Sequence, residues 1–168
     1  MIDDEKPQPR TKFATSEAKR VWGTFGEKRI PVVLNLITKA LEIVTASKVF
    51  STSGAEGYSS IGEDGRVTMI YNKSSSRVRQ KFTIAHELGH VVLEHIGIGG
   101  GSPEHSSKIR EKEADLFANE LLIPSSDLKT YLKDGNKTLE DVISRYEVSR
   151  NVAVISIEKN RLLMKLKV

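Results

Sequence analysis

The sequence predicts an α+β fold: a small twisted antiparallel sheet packed against two site-bearing helices, followed by a helical C-terminal region. Three observations predict it. Apolar residues recur at helical spacing on both sides of a central stretch. That stretch, from Ile43 to Tyr71, is rich in β-branched residues and punctuated by Gly54, Gly57, Gly62 and Gly65. Beyond it, helix-start signals recur up to Ser149.

Residues 1–15 are polar with two prolines and read as a flexible tail; residues 16–168 read as one domain. Ser16 caps a first helix that runs to Phe25, with Gly26 as its stop. Pro31 suits the first turn of a second helix carrying Val33, Leu34, Ile37 and Leu41 on one face. Strands are expected over Ile43–Phe50, Ala55–Ile61 and Arg66–Tyr71, and a polar turn over Lys73–Ser76. The helical pattern returns from Val78 to Glu94. A glycine-rich loop follows over Gly97–Pro103, then a helix over Ser107–Leu122 ended by Pro124. Ser125 or Ser126 caps a short helix through Leu132. Thr138 and Asp141 form a capping box for a helix to Tyr146, and Ser149 caps the last one.

Hydrophobic residues make up 38% of the chain and charged residues 29%, an ordinary balance for a globular domain. There is no cysteine, so disulfides and thiolate metal sites are excluded and any metal must be held by His, Asp or Glu. The first residues, MIDDEKPQPRTK, contain no apolar stretch of the secretory type, and no apolar run reaches the roughly 20 residues of a membrane span. A cytoplasmic protein without membrane association is expected. The net charge of +4 reads as a lysine-rich solvated surface before it reads as a nucleic-acid footprint.

The chemistry lies in His86-Glu87-Leu88-Gly89-His90. On a helix, residues four apart share a face, so His86 and His90 present two imidazoles that share one zinc ion. Glu87 points to a neighbouring angle, toward water activated by the metal, and is the expected general base. A catalytic zinc takes a third protein ligand and keeps an open position. His95 reads as a helix-end residue near the C-terminal dipole, and His105 falls at the edge of the glycine-rich loop. The following helix is the better source. Ala114, Phe117, Ala118, Leu121 and Leu122 define its buried face. Glu111 lies roughly 50° from the centre of that face and Glu113 well over 100° away, at about 100° per residue. Glu111 is therefore the expected ligand and Glu113 a weaker candidate. Asp115, one turn beyond Glu111, is placed to accept the second N–H of a ligating histidine. Tyr71 and Tyr58 are weaker candidates for stabilising an oxyanion.

Gln80 to His90, followed by Glu111 to Pro124, resembles the ImmA/IrrE metallopeptidases. The resemblance covers most of the chain from about Pro31. It implies a gluzincin-like zinc site on zincin-like helices, with one zinc per chain held by His86, His90 and Glu111, and with Glu87 as the catalytic glutamate. It implies an endopeptidase that cleaves a helix-turn-helix repressor and so derepresses mobile-element or stress-response genes.

The alternative is a zinc-containing regulator that binds DNA or a repressor without proteolysis. Thr138 to Arg161 would then be a DNA-contacting helix pair. Few cations at the start of its second helix beyond Arg150, and packing roles for Val152 and Ile155, weigh against it. Finally, Arg66–Tyr71 is tethered to the motif helix by a short turn, and this strand is expected to be the sheet edge that pairs with a substrate segment.

Overall fold

The computed structural model describes residues 8–50, 56–96 and 104–167, the side chains of residues 104–107 excepted. Seven helices and three strands succeed one another in it. They are α1 (Thr11–Phe25), α2 (Leu34–Ala40), β1 (Val44–Lys48), β2 (Gly57–Ile61), β3 (Val67–Asn72), α3 (Arg77–Val92), α4 (Glu104–Leu122), α5 (Ser125–Tyr131), α6 (Leu139–Tyr146) and α7 (Arg150–Lys159). A short 3-10 turn, Leu163–Lys165, follows. This is the expected α+β architecture with its helical C-terminal region. No helix among the described residues is long and apolar enough to cross a membrane.

The sheet corrects the sequence reading in two respects. Its order is β1-β3-β2, and it is mixed rather than antiparallel. β2 and β3 form an antiparallel hairpin, with Ser59 opposite Met69, whereas β1 runs parallel to β3, with Thr45 opposite the same Met69. The β2–β3 connection is a tight turn: Gly62 N donates to Arg66 O, and Gly65 takes the positive φ of 77° that favours glycine. Alternation along a strand reports which face is buried and not which way its neighbour runs. The second correction follows. β3 is the central strand, so Arg66–Tyr71 has both sides occupied and cannot be the edge that receives a peptide. β2 is the edge on the site side.

Two helix starts also shift. The helix expected from Ser16 opens at Thr11, so residues 11–15 belong to α1 and not to the tail. The second helix opens at Leu34 rather than Pro31. Later caps fall where expected. Thr138 and Asp141 form the reciprocal capping box of α6, and Ser149 accepts from Val152 N at the start of α7. The expected Gly97–Pro103 loop and the side chain of His105 lie outside the described residues.

The core is one cluster shared by α1, α2, β3, α3, α4 and the C-terminal helices, with Val21, Ile37, Leu88, Phe117, Leu121 and Ile157 fully buried. A close approach of two helices positions the site. A Cβ on Gly89 would lie 3.1 Å from Phe117 Cδ1 and 3.2 Å from Ala114 Cα. Glycine at position 89, inside the His86–His90 motif, therefore lets α4 lie against α3 at the level of the two histidines. α4 also packs against α1. Because α4 is sandwiched, it buries more of its circumference than one apolar stripe.

Candidate metal centre and its cleft

α3 carries His86, Glu87 and His90, and α4 brings Glu111 against them. His86 Nε2 lies 3.0 Å from His90 Nε2 and 3.2 Å from Glu111 Oε2, while Glu111 Oε1 lies 3.2 Å from His90 Nε2. Among the described residues these three form the group able to hold a metal, with ligand atoms all within 4.8 Å of one another. Asp115, one turn along α4, has its Oδ1 2.9 Å from His86 Nδ1. An ionised carboxylate only accepts, so the His86 proton sits on Nδ1 and the Nε2 lone pair faces Glu111.

That arrangement tests whether the residues fit a metal. With His86 neutral, its Nε2 lone pair and a carboxylate oxygen 3.2 Å away repel each other unless a proton or a metal cation stands between them. Ligands about 2.0–2.1 Å from a tetrahedral ion are separated by about 3.3 Å, close to the separations found. Two imidazoles and a carboxylate, without thiolate, also suit zinc by donor type. The donor set therefore fits.

The two histidines differ in protonation tendency: His90 tends to the neutral imidazole that a ligand needs, and His86 to the charged form, whose proton a bound cation would displace. Burial, then the neighbouring His86 and His95, push His90 down to about 3, so its imidazole is neutral at physiological pH. His86 is raised: burial opposes its charge, but the hydrogen bond and charge of Asp115, with Glu111 and Glu87, outweigh it. Glu87 is buried and its carboxyl is raised, chiefly by burial and against the hydrogen bond from Ser59. The Ser59 hydroxyl donates to Glu87 Oε2 at 2.7 Å. A carboxylate raised in this way is a stronger base.

His86, Glu87, Glu111 and Asp115 line a cleft of about 750 Å³. Glu56 and Gly57 at the start of β2 border it on one side, and Asn151, Val152, Ile155 and Lys159 of α7 on the other. Ile155, which the sequence suggests as a packing residue, is 40% exposed and belongs to this wall, while Val152 is buried. Tyr58 and Tyr71 do not line the cleft. Strand alternation puts Tyr58 on the sheet face opposite Ser59, where it meets Phe50 edge-on at 6.1 Å between ring centroids.

Glu113 departs most from the sequence reading. It is not a solvated flank: its side chain is 2% exposed, and it accepts from Arg10 N, Nε and Nη2 and lies 3.0 Å from His95 Nε2. Glu111, taken as facing the core, has a side chain 57% exposed at the cleft. The structure thus brings Glu111 to the histidines, but not by the face argument that selected it. His95 is buried too, with its Nδ1 3.1 Å from His90 Nδ1. Sequence reasoning missed Ser59 and Arg10 entirely. Their partners lie 28 and 103 residues away, and no local spacing marks such contacts.

No curated protein matches the chain. Among solved structures, a Mycobacterium tuberculosis transcriptional regulator matches with a TM-score of 0.60 at 14% identity. The match covers 84% of this chain and 45% of that one, so the chain spans less than half of that protein, and the likeness is one of fold. A family description, the IrrE N-terminal-like domain of the M78 peptidases, matches residues 41–158, which include both histidines, Glu87 and Glu111. The chain belongs to the IrrE N-terminal-like family of M78 metallopeptidases.

Proposed function

We propose that this protein is a zinc-dependent endopeptidase of the cytoplasm that cleaves a helix-turn-helix transcriptional repressor. The observation that carries the proteolytic part is the convergence of His86, His90 and Glu111, with Glu87 beside them and outside the ligand set. The family's peptidase character supports the reaction class. The regulatory part has weaker support: the resemblance read in the motifs, and a fold neighbour that is a transcriptional regulator.

His86, His90 and Glu111 would hold the zinc, which supplies Lewis acidity toward a water molecule and the scissile carbonyl. Glu87 takes the proton of the attacking water on its carboxylate and returns it to the leaving amine. Ser59 keeps that carboxylate in one orientation. Phe82, Val152 and Ile155 shield the cleft from bulk water on its apolar side. β2, with no strand on its outer side among the described residues, offers backbone N–H and C=O groups to an extended peptide. A repressor segment must therefore be extended when it binds, which favours a linker or a locally unfolding helix as the cleavage site.

The test is incubation of the zinc-loaded protein with the helix-turn-helix repressor encoded beside its gene, followed by mass spectrometry of the products. One internal cut in the repressor, absent with Glu87→Gln, is expected. Binding without a cut would favour the non-proteolytic regulator. Salt-dependent binding to nonspecific DNA would favour the helix pair α6–α7 as a DNA contact.

A further inference from the structure

We propose that Arg10, Glu113 and His95 form a hydrogen-bonded relay that orients His90 as a metal ligand, which makes the N-terminal segment a working part of the metal centre. The relay rests on the metal-centre reading given above. Its parts come from three places in the chain. Arg10 precedes α1 and lies outside the family match, Glu113 is on α4, and His95 follows α3.

The tautomers follow link by link. Glu113 accepts from Arg10 Nε at 3.1 Å and from Arg10 Nη2 at 2.7 Å on Oε2, and from the Arg10 backbone N at 2.6 Å on Oε1. Paired with a guanidinium in this way, it is an ionised carboxylate and offers only acceptors. His95 Nε2 stands 3.0 Å from Glu113 Oε2, so it must carry the hydrogen and donate. Arg10 Nη2 is also 3.3 Å from that nitrogen, because both donors converge on the same carboxylate oxygen. With its proton on Nε2, His95 has a lone pair on Nδ1. The group facing it at 3.1 Å is His90 Nδ1, which must therefore carry its own hydrogen and donate. His90 Nε2 is left with a free lone pair, and it faces His86 Nε2 at 3.0 Å and Glu111 Oε1 at 3.2 Å.

Asp115 performs the same service for His86 directly, with one carboxylate. For His90 the carboxylate is one imidazole further away, and His95 fills the gap. The inner links of the relay are dry: the side chains of His95 and Glu113 are each 2% exposed. A broken link therefore leaves a buried polar group without a partner, and water cannot easily replace it. Groups that orient metal-ligating histidines in this way typically contribute 10- to 100-fold in metal affinity.

The experiment is a zinc titration against a chromophoric chelator on the full chain, with folding of each variant checked by circular dichroism. His95→Phe should bind zinc about 10- to 100-fold more weakly. His95→Gln keeps one acceptor and one donor and should recover most of that loss, to within about threefold of the parent. Arg10→Met removes the guanidinium donors but keeps the backbone N–H of residue 10 on Glu113, and should weaken zinc by severalfold in chains that remain folded. Independently of any variant, long-range 1H–15N spectra of the zinc-loaded parent should place the protons on His90 Nδ1 and His95 Nε2. Zinc binding by folded His95→Phe as tight as in the parent would overturn the relay, as would a proton on His95 Nδ1. If His95→Phe fails to fold, unchanged zinc affinity in Arg10→Met overturns the part assigned to the N-terminal segment, and the spectra decide the rest. A parent chain that binds no zinc would instead overturn the metal centre itself.

Discussion

Ser59, in the middle of the edge strand β2, donates its hydroxyl to Oε2 of Glu87 at 2.7 Å, and so ties the sheet to the proposed general base. This bond stabilises the ionised carboxylate and partly offsets the burial that raises it. Removing it in Ser59→Ala should raise Glu87 further. The base must be ionised to act, so the acid limb of the kcat/KM profile should move to higher pH while zinc content stays unchanged. Glu87→Gln should retain zinc and lose turnover by about 10²- to 10⁴-fold. An acid limb that moves down or stays in place in Ser59→Ala would sever the link between the two residues.

Glu111 and Glu113 separate by the kind of damage their loss produces. Glu111→Ala removes a ligand from an exposed position, so zinc affinity should collapse while the metal-free protein keeps its thermal stability. Glu113→Ala leaves Arg10 and His95 facing a void, and should cost about 1.5–3 kcal/mol of stability. Its effect on zinc should be smaller than that of Glu111→Ala. Zinc titration and thermal unfolding of both variants check the order; a larger zinc loss from Glu113→Ala would reverse the ligand assignment.

The same residue predicts a pH dependence of folding. Burial raises Glu113, but the side-chain and backbone hydrogen bonds of Arg10, the hydrogen bond with His95 and the Arg10 charge together hold it down to about 2, below its ordinary 4.5. A carboxyl depressed on folding contributes stability that is fully present above about 4.5 and is lost as pH falls toward 2. Urea unfolding of the metal-free protein should therefore show stability declining across that window. Glu113→Gln should be less stable at pH 6 by about 2 kcal/mol and should show a flatter decline. An equally steep acid slope in the variant would assign the dependence to other carboxyls.

Gly89 sets the distance between the two motif helices. In Gly89→Ala the added methyl meets the Phe117 ring and the Ala114 backbone at 3.1–3.3 Å, and the α4 backbone has little freedom between α1 and α3. The gain in helix propensity, about 1 kcal/mol, is offset by overpacking of about 1–3 kcal/mol. Overall stability should therefore change little or fall slightly. Zinc affinity should fall clearly, because Glu111 moves with α4. Unaltered affinity would show that the close approach does not set the ligand geometry.

What could be read in the sequence divides along a physical line. His86, Glu87 and His90 were legible because one helix turn alone puts the two histidines on one face. The capping box at Thr138 and Asp141 was legible for the same reason. The helical-wheel argument for Glu111 holds only if α4 has a single buried face. The helix is instead packed on two sides, so Glu113 is buried against α1 and Glu111 stands at the open cleft. The direction of β1, the central place of β3 and the bonds from Ser59 and Arg10 depend on contacts between distant segments. Local residue spacing carries no record of those.

The central claim is that His86, His90 and Glu111 hold one zinc ion that Glu87 serves without binding it. Metal analysis of natively purified parent, His86→Ala and Glu87→Gln chains tests it most directly. The account predicts about one zinc per chain in the parent and in Glu87→Gln, and little or none in His86→Ala. Full zinc stoichiometry in a folded His86→Ala chain would contradict it.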